Sequence, residues 1–274
     1  GIRDIGVTGV QTCALPIFEI YIDTNLKKIV NLSLIYNNTN NSIPLKQSIK
    51  IVDDNEFRFA SNIILSISIA RIILVNHFFN LHKFTGESFA VTIHKSFDID
   101  HPIFRIINPH TINIFKQNDN ANKFLFNYKQ FKGALHHFLP VDSESHLNIS
   151  TYSLLNYNIY ELINFIEFDT NLANDSKLFY NEIKNYVSNY IDYFYQTNES
   201  LYNDADIYNW FNEIQLFVPN TINLDFNKNT IIDIISIFIF SSTVIHEIAG
   251  AALLKLYNNP YIVATSLNNI GYSL

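Results

Sequence analysis

The stretch HFFNLH, residues 77–82, places two histidines five residues apart inside a long apolar run. Imidazole nitrogens must be hydrogen-bonded, protonated or bound to a metal, so two such rings in one buried segment require partners. In an ideal α-helix, residues five apart point about 140° away from each other, whereas a π-bulge brings them to roughly one face. The spacing therefore predicts either a metal-binding pair on a distorted helix or an ordinary structural pair.

The composition suits a large buried core and argues against some classes of partner. Of the 274 residues, 48% are hydrophobic and 16% are charged, and the formal net charge is −7. A nucleic-acid-binding surface is normally basic, and no block of Lys and Arg indicates a patch for anionic membranes. We therefore expect no nucleic acid among the partners, and the length favours one large domain or two small ones.

Residues 1–17 differ in character from the rest of the chain. The run VTGVQTCALPI, residues 7–17, resembles the conceptual translation of a sequencing-library adapter, and we therefore set residues 1–17 apart from the fold. This segment contains Cys13, the only cysteine, so cysteine chemistry is excluded for residues 18–274. Because the chain contains no Met, we expect residues 18–274 to be part of a larger helical domain, an internal fragment of a longer protein.

The hydrophobic pattern predicts a mainly α-helical chain with some strands near its start. Apolar residues alternate with polar ones between residues 18 and 45, which is compatible with strands. Asp53 and Asp54 can cap a helix that runs to about Lys83 and is apolar on most sides, as a buried central helix would be. Residues 113–150 are hard to interpret, and further helices are expected at 85–94, after 174–176, at 205–216 and from Thr230 through His246.

Several blocks occur in the order in which one enzyme family has them. His77 and His82 are followed by Glu87, Phe89 and Thr92, and His246 ends an apolar run far downstream. Between them lie HPIFR at 101–105, PH at 109–110 and YIDYFY at 190–195. Over roughly residues 55–265 this set resembles the lipoxygenases, which are non-haem iron dioxygenases of fatty acids.

The resemblance implies a fold, a metal and a reaction. Residues 18–274 would be part of the helical catalytic domain of a lipoxygenase, without the family's PLAT β-barrel, and His77, His82 and His246 would hold a non-haem iron. Iron that cycles between its ferrous and ferric states removes a hydrogen atom from the methylene between two cis double bonds of a polyunsaturated fatty acid. O2 then adds to the pentadienyl radical and gives a hydroperoxide, and no catalytic residue beyond the metal site is implied.

Other positions receive roles from the same resemblance. Leu125 falls where the family has a leucine that clamps the pentadiene, and Ala121 falls where Ala or Gly is associated with the stereochemistry of oxygenation. Glu87, His101 and His110 are expected to be structural or to support the metal ligands. The remaining histidines are expected to be ordinary surface or loop residues: His94, His136, His137 and His146.

The chain also departs from the family pattern. One extra residue separates His82 from Glu87, and Ile72 replaces the first histidine of the family's longer series. Gly250 stands where the family usually has Asn, His or Ser facing the iron, and it offers no ligand atom. The last family ligand is the carboxylate of a terminal Ile, and Leu274 follows the third histidine too soon to take its place. We therefore expect this fragment itself to be inactive.

Two other functions remain open at this point. A degenerate member of the family could bind lipid or be purely structural, which Gly250 favours, and the apolar helices alone would fit a membrane-embedded protein. A zinc H-E-x-x-H site is rejected, because Gly250 stands in place of its second histidine. The lipoxygenase interpretation implies a polyunsaturated fatty acid and O2 as partners. We expect a monomer that can make peripheral contact with a membrane, and we favour a cytoplasmic location.

Overall fold

The computed structural model describes residues 3–5, 17–23, 28–36, 45–50, 72–124, 158–167, 170–218 and 224–250. These residues belong to two compact units, of which one contains the strands and the other contains most of the helical residues. Several positions discussed above lie outside the described residues: the predicted helix before residue 72, Leu125, His136, His137, His146 and Leu274.

The first unit contains a four-stranded antiparallel sheet in which strands adjacent in the chain are hydrogen-bonded neighbours. The pairing between the second and third strands shifts between Tyr21 and Ile22, which indicates a β-bulge. The alternating pattern between residues 18 and 45 thus predicted real strands, and Arg3–Ile5, within residues 1–17, also pairs in the sheet. The strands are β1 (Arg3–Ile5), β2 (Ile17–Asp23), β3 (Lys28–Tyr36) and β4 (Leu45–Lys50).

The second unit is built from helices, as the sequence predicted. Two 3-10 turns, Asn108–His110 and Ile159–Glu167, lie between them. The helices are α1 (Ile72–Glu87), α2 (Ser88–Ser96), α3 (Pro102–Ile107), α4 (Ile114–Phe124), α5 (Asn171–Phe194), α6 (Asn198–Tyr202), α7 (Ala205–Phe217) and α8 (Lys228–Phe240), the last of which continues as a π-helical segment (Ser241–Ile245) and a final α-helical stretch to Gly250.

Helix α1 is π-helical throughout its length rather than an α-helix with one bulge. It also does not end near Lys83, because Glu87 at the junction has helical backbone angles and α2 follows directly. The prediction of a separate helix over residues 85–94 was therefore wrong about its start. No residue between 83 and 88 is a proline, and Gly86 keeps a negative φ, so the chain contains no local signal that stops the helix.

Side-chain caps explain where the later helices begin. Thr170 accepts a hydrogen bond from the backbone N–H of Ala173, so α5 begins at Asn171, before the predicted 174–176. The side chain of Asn227 likewise accepts a hydrogen bond from the backbone N–H of Thr230. Helix α8 therefore begins at Lys228, two residues before the predicted start at Thr230. Helix α7 agrees closely with the prediction, since Asp204 caps it through the N–H groups of the first turn.

The core of the second unit is formed by residues of α2, α3, α5, α7 and α8. Trp210 is fully buried on α7 and donates a hydrogen bond from Nε1 to Oγ1 of Thr92 on α2 at 3.1 Å. Phe89 of α2 stacks on Phe238 of α8 with ring centroids 4.0 Å apart. Because buried aromatic side chains dominate the packing energy of such cores, these contacts fix α2 against α7 and α8. Since α2 is continuous with α1, they also set the position of α1.

Helix α8 is the most apolar described helix. With its extension it runs from Lys228 to Gly250 and contains an 18-residue window of mean hydropathy 1.8, so it is long and apolar enough to cross a membrane by length and composition. More than half of this apolar window, 56%, is buried inside the protein. Ile235, Ile237 and Phe240 are fully buried, as expected for a helix that forms the centre of a packed helical unit.

Candidate metal centre

The π-helical winding of α1 brings His77 and His82 onto one face. In a helix with i→i+5 hydrogen bonds, residues five apart lie about one turn apart and point in a similar direction. Their ring centroids are 4.7 Å apart, with the rings nearly perpendicular. The flanking aromatic residues Phe78 and Phe79 are buried, so the segment is anchored in the unit while the imidazoles share one side.

A second π-helical segment, Ser241–Ile245, directly precedes His246. Hydroxyl groups in this segment donate to backbone carbonyls of the preceding turn: Ser242 and Thr243 both donate to the carbonyl of Ile239. Such bonds compete with the regular helical pattern and distort it. Hydrophobic periodicity did not predict this distortion, although the run Ser-Ser-Thr at residues 241–243 is a signal for it.

The three imidazoles meet between α1 and the extension of α8. The Nε2 atom of His82 lies 3.2 Å from Nε2 of His77 and 3.1 Å from Nε2 of His246, and one nitrogen of each ring lies within 4.8 Å of the others. Imidazole nitrogens that share an ion at about 2.1 Å are about 3 Å apart at right angles and about 3.4 Å apart in a tetrahedron. The donor set and its spacing therefore fit a metal ion.

The environment favours the neutral, metal-binding form of these rings. Burial, together with the neighbouring His82 and His246 rings, lowers the pKa of His77 to about 3. Burial also lowers the pKa of His82 and of His246. Only an unprotonated imidazole nitrogen binds a metal, so the three rings remain available as ligands at neutral pH.

A buried asparagine contacts the far side of one imidazole. Oδ1 of Asn118 on α4 accepts from Nδ1 of His82 at 2.9 Å. Its Nδ2 donates to Oε1 of Glu87 at 2.8 Å and to the backbone carbonyl of His82 at 3.2 Å. Glu87 also forms an ion pair with Lys83 at 2.8 Å. Glu87 thus lies close to the three imidazoles and is connected to His82 through Asn118.

Asn118 does not stand out in the sequence, because it is one asparagine among many in a stretch that is hard to interpret. A signal was nevertheless present. Ile114, Asn118 and Ala121 follow the i, i+4, i+7 pattern of one helix face, so the asparagine shares the inward face with apolar residues. A polar residue on such a face requires buried partners, and Asn118 is 1% exposed.

A pocket of about 340 Å³ opens beside His82 and His246. This volume lies in the range of small-molecule sites, and its walls combine apolar and polar groups, as such sites do. Its residues come from α1, the turn around His110, α4 and α8. The lining comprises Leu81, His82, Gly86, Pro109, His110, Ile112, Ile114, Gln117, Phe238, Ser242, Thr243 and His246.

His101 and His110 lie apart from the three converging rings and differ from each other. His101 caps α3, because its Nδ1 accepts from the N–H of Ile103, and its Nε2 lies 3.2 Å from Oδ2 of Asp204. Tyr195 donates to the same carboxylate oxygen at 2.7 Å. His110 lines the pocket, packs edge-on against Phe238, and has its pKa lowered by burial.

A further group of possible ligand atoms consists of His101, Asp204 and Asp206. The ring nitrogens of His101 and the carboxylate of Asp204 already take part in the bonds that cap α3 and α7. Asp206 is exposed. This cluster is therefore explained as a junction between helices, and it differs from the three histidines, whose Nε2 atoms face one another.

The comparisons with known proteins bear on the fold. No family model matches the sequence, and no curated protein matches it. Among solved structures, a calcium-dependent 11R-lipoxygenase matches with a TM-score of 0.74 and 16% sequence identity, over 96% of this chain and 42% of that chain. The manganese lipoxygenase of Gaeumannomyces graminis matches with a TM-score of 0.49 and 13% identity, over 86% of this chain and 45% of that chain.

The chain has the lipoxygenase fold. At 16% identity the first likeness shows the helical catalytic-domain architecture, which confirms the predicted fold class. The chain spans less than half the length of both lipoxygenases.

Three positions that the lipoxygenase resemblance singled out have distinct placements. Ala121 is partly buried on α4, on the same face as Asn118, and is not among the residues that line the pocket. Leu125 lies outside the described residues. Gly250 lies one helical turn beyond His246, and a Cβ atom built there would meet none of the described residues outside its own stretch of helix within 4 Å. The lipoxygenase resemblance gave this position a further ligand, and glycine has no side-chain atom to serve as one.

Proposed function

We propose that this chain carries the metal centre of a lipoxygenase-type dioxygenase that inserts O2 into polyunsaturated fatty acids and yields hydroperoxides. His77, His82 and His246 hold a non-haem iron, which supplies one-electron chemistry between the fatty acid and O2 when bound. The observation that carries the proposal is the convergence of the three Nε2 atoms, 3.1 and 3.2 Å apart for the two closest pairs.

The chemistry of the donor set supports iron as the metal. Neutral imidazoles suit iron as well as zinc, and sites with open positions suit a redox metal that must admit a co-substrate. Three histidine ligands leave such coordination positions free, and Gly250 has no side-chain atom that could fill one. None of the described residues is a cysteine, since the only cysteine of the chain is Cys13, so no described thiolate is available as a ligand.

The residues around the rings have separate tasks in this proposal. Helices α1 and α8 hold the ligands on rigid, buried elements, which fixes the geometry of the site. The apolar wall of the pocket, with Leu81 and Phe238, binds the acyl chain through burial of its CH2 groups, at about 0.8 kcal/mol per buried group. The same wall excludes water from the neighbourhood of His82 and His246.

The first test is metal binding by the chain itself. The metal-free protein is titrated with Fe2+ under anaerobic conditions, and binding of one ion per chain is expected. His77→Ala, His82→Ala and His246→Ala should each weaken binding strongly, whereas His94→Ala, which changes an exposed histidine of α2, should not. Equal binding by all four variants would contradict the assignment of the ligands.

The second test is the reaction. The complete product of the gene, loaded with iron, is mixed with linoleate in an oxygen electrode, and the products are analysed for conjugated hydroperoxides. Oxygen uptake that depends on His246 is expected. Iron bound at the three histidines without any oxygen uptake would instead favour a protein that has kept the fold and lost catalysis.

That second possibility has one observation in its favour, namely the absence of a ligand atom at Gly250. A non-catalytic relative would use the pocket to bind lipid or would serve a structural role. It predicts that a fatty acid protects the pocket residues, such as His110, from chemical modification while no product forms.

A further inference from the structure

Helix α4 has an unusual pattern of burial. Asn118 is its only buried residue, and its apolar residues Phe115 and Phe124 are 50% and 64% exposed. A helix that packs onto a core normally buries a stripe of apolar side chains. Helix α4 instead buries one amide, whose described partners are all on α1: His82 and Glu87.

The orientation of that amide follows from its partners. The carboxylate of Glu87 and the backbone carbonyl of His82 can only accept, so the nitrogen end of the Asn118 side chain must face them. The oxygen end then faces Nδ1 of His82, which must carry a proton to donate to it. In a neutral imidazole with the proton on Nδ1, the lone pair belongs to Nε2, the atom that faces the other two histidines.

We propose that Asn118 is a positioning residue that holds His82 in the tautomer and ring orientation in which Nε2 is the ligand atom. This inference rests on the proposed function, because it concerns the same metal site. Glu87 is the second link in the chain of bonds, because it fixes which end of the Asn118 amide faces the ring, and Lys83 holds Glu87 in place. Partners of this kind set the orientation and basicity of metal-bound histidines.

The test uses variants of one helix. Asn118→Ala removes the bonds, and Asn118→Leu removes them while nearly keeping the side-chain shape, so that a cavity cannot explain the result. Asn120→Ala is the matched control, because Asn120 is exposed on the same helix. All variants are first compared for folding by the fluorescence of Trp210, the only tryptophan, which is buried in the core.

Two readouts are used. In an anaerobic Fe2+ titration, both Asn118 variants should bind about 10- to 100-fold more weakly than the unchanged protein, and Asn120→Ala should bind equally well. In the metal-free protein, the ring 15N signals of His82 should show the proton on Nδ1, and they should shift towards a mixture of tautomers in both Asn118 variants. A purely structural role would not move this second signal.

The outcomes separate this inference from the proposed function. Unchanged Fe2+ affinity in the Asn118 variants, or a weaker affinity with an unchanged His82 tautomer, would overturn the positioning role. If the unchanged protein binds no Fe2+, the proposed function fails, and the role in holding a ligand atom fails with it. The 15N signals would then show whether Asn118 still selects the tautomer for structural reasons.

Discussion

At the scale of single residues, the three histidines were predictable and the asparagine beside them was not. His77, His82 and His246 stand out because imidazoles are rare inside long apolar runs. In the structure Asn118 is as distinctive as the three histidines, because it contacts His82 and Glu87. In the sequence it is one of many asparagines, and only these long-range contacts distinguish it. Contacts between residues 31 and 36 positions apart leave no periodic pattern in a sequence.

The lack of a side chain at Gly250 leads to a prediction about ligand number. Gly250→His adds an imidazole one turn beyond His246 on the same helix face, where no described residue outside the local helix lies within 4 Å of the new Cβ. We expect Fe2+ to bind at least tenfold more tightly than in Gly250→Ala, which adds the same Cβ without a ligand atom. Isothermal titration under anaerobic conditions measures the difference, and equal affinities of the two variants would show that the added ring does not reach the metal.

The lowered histidine pKa values predict how the metal-free protein responds to acid. Unfolded histidine has a pKa of about 6.5, whereas burial lowers the pKa of His77 to about 3 in the folded protein. Between these values the unfolded chain binds more protons, so the free energy of unfolding is highest above pH 6.5 and falls as the pH falls towards 3.

Urea unfolding at several pH values measures this slope. His77→Asn should make it shallower, while His94→Asn, on the exposed face of α2, should leave it unchanged. Identical slopes in all three proteins would show that His77 is equally easy to protonate in the folded and unfolded states.

At the scale of elements, periodicity predicted which segments are helical better than it predicted how they are wound or where they begin. Residues 205–216 were placed almost correctly, because the apolar spacing and the cap at Asp204 agree. The π-helical winding of α1 over 16 residues and the π-helical segment before His246 were not predicted to that extent. Winding depends on tertiary contacts and on hydroxyl groups that bond to the backbone, which hydrophobic periodicity does not record.

The junction of α3, α5 and α7 gives a prediction at this scale. Tyr195 at the end of α5 donates to Asp204, which lies beside His101 and caps α7. Tyr195→Phe removes this bond to a partly buried carboxylate and should lower the free energy of unfolding by about 1–2 kcal/mol. Tyr193→Phe is the control, because Tyr193 is 78% exposed two residues earlier.

The same junction predicts a dependence on alkaline pH. Burial, and then the bond to Asp204, raise the pKa of Tyr195 well above its usual value. The unfolded chain therefore loses this proton first as the pH rises through about 10, and stability should fall there. The fall should be smaller in Tyr195→Phe than in Tyr193→Phe, and equal falls would show that the Tyr195 bond is not maintained in solution.

At the scale of the whole molecule, the fold class was predictable because a long apolar helix, a capped amphipathic helix and a second apolar helix are strong signals in the sequence. The structural likeness at 16% identity confirms that class. Substrate and activity are not readable from the fold in the same way, since one architecture hosts many functions. They depend on a few side chains around His82 and His246.

Metal binding should stabilise the second unit as a whole. Because the ligands come from α1 and α8, an ion bound only by the folded state adds about 2.7 kcal/mol of stability at a free concentration 100 times its dissociation constant. Urea unfolding followed by Trp210 fluorescence reports on this unit, since Trp210 is fully buried and packs against Phe89 of α2. The gain with Fe2+ should disappear in His246→Ala, and a gain that persists would locate the bound ion elsewhere.

The winding of α1 has a consequence for how this protein can vary among species. Substitutions at residues 78–81 change packing but leave both imidazoles on their shared side, whereas insertion of one residue would turn His82 further from His77 by roughly a quarter turn. Lineages that keep the three-histidine centre are therefore expected not to lengthen the interval between the first two histidines, even where its residues differ. Natural insertions within this interval would mark copies in which selection on the centre has been relaxed.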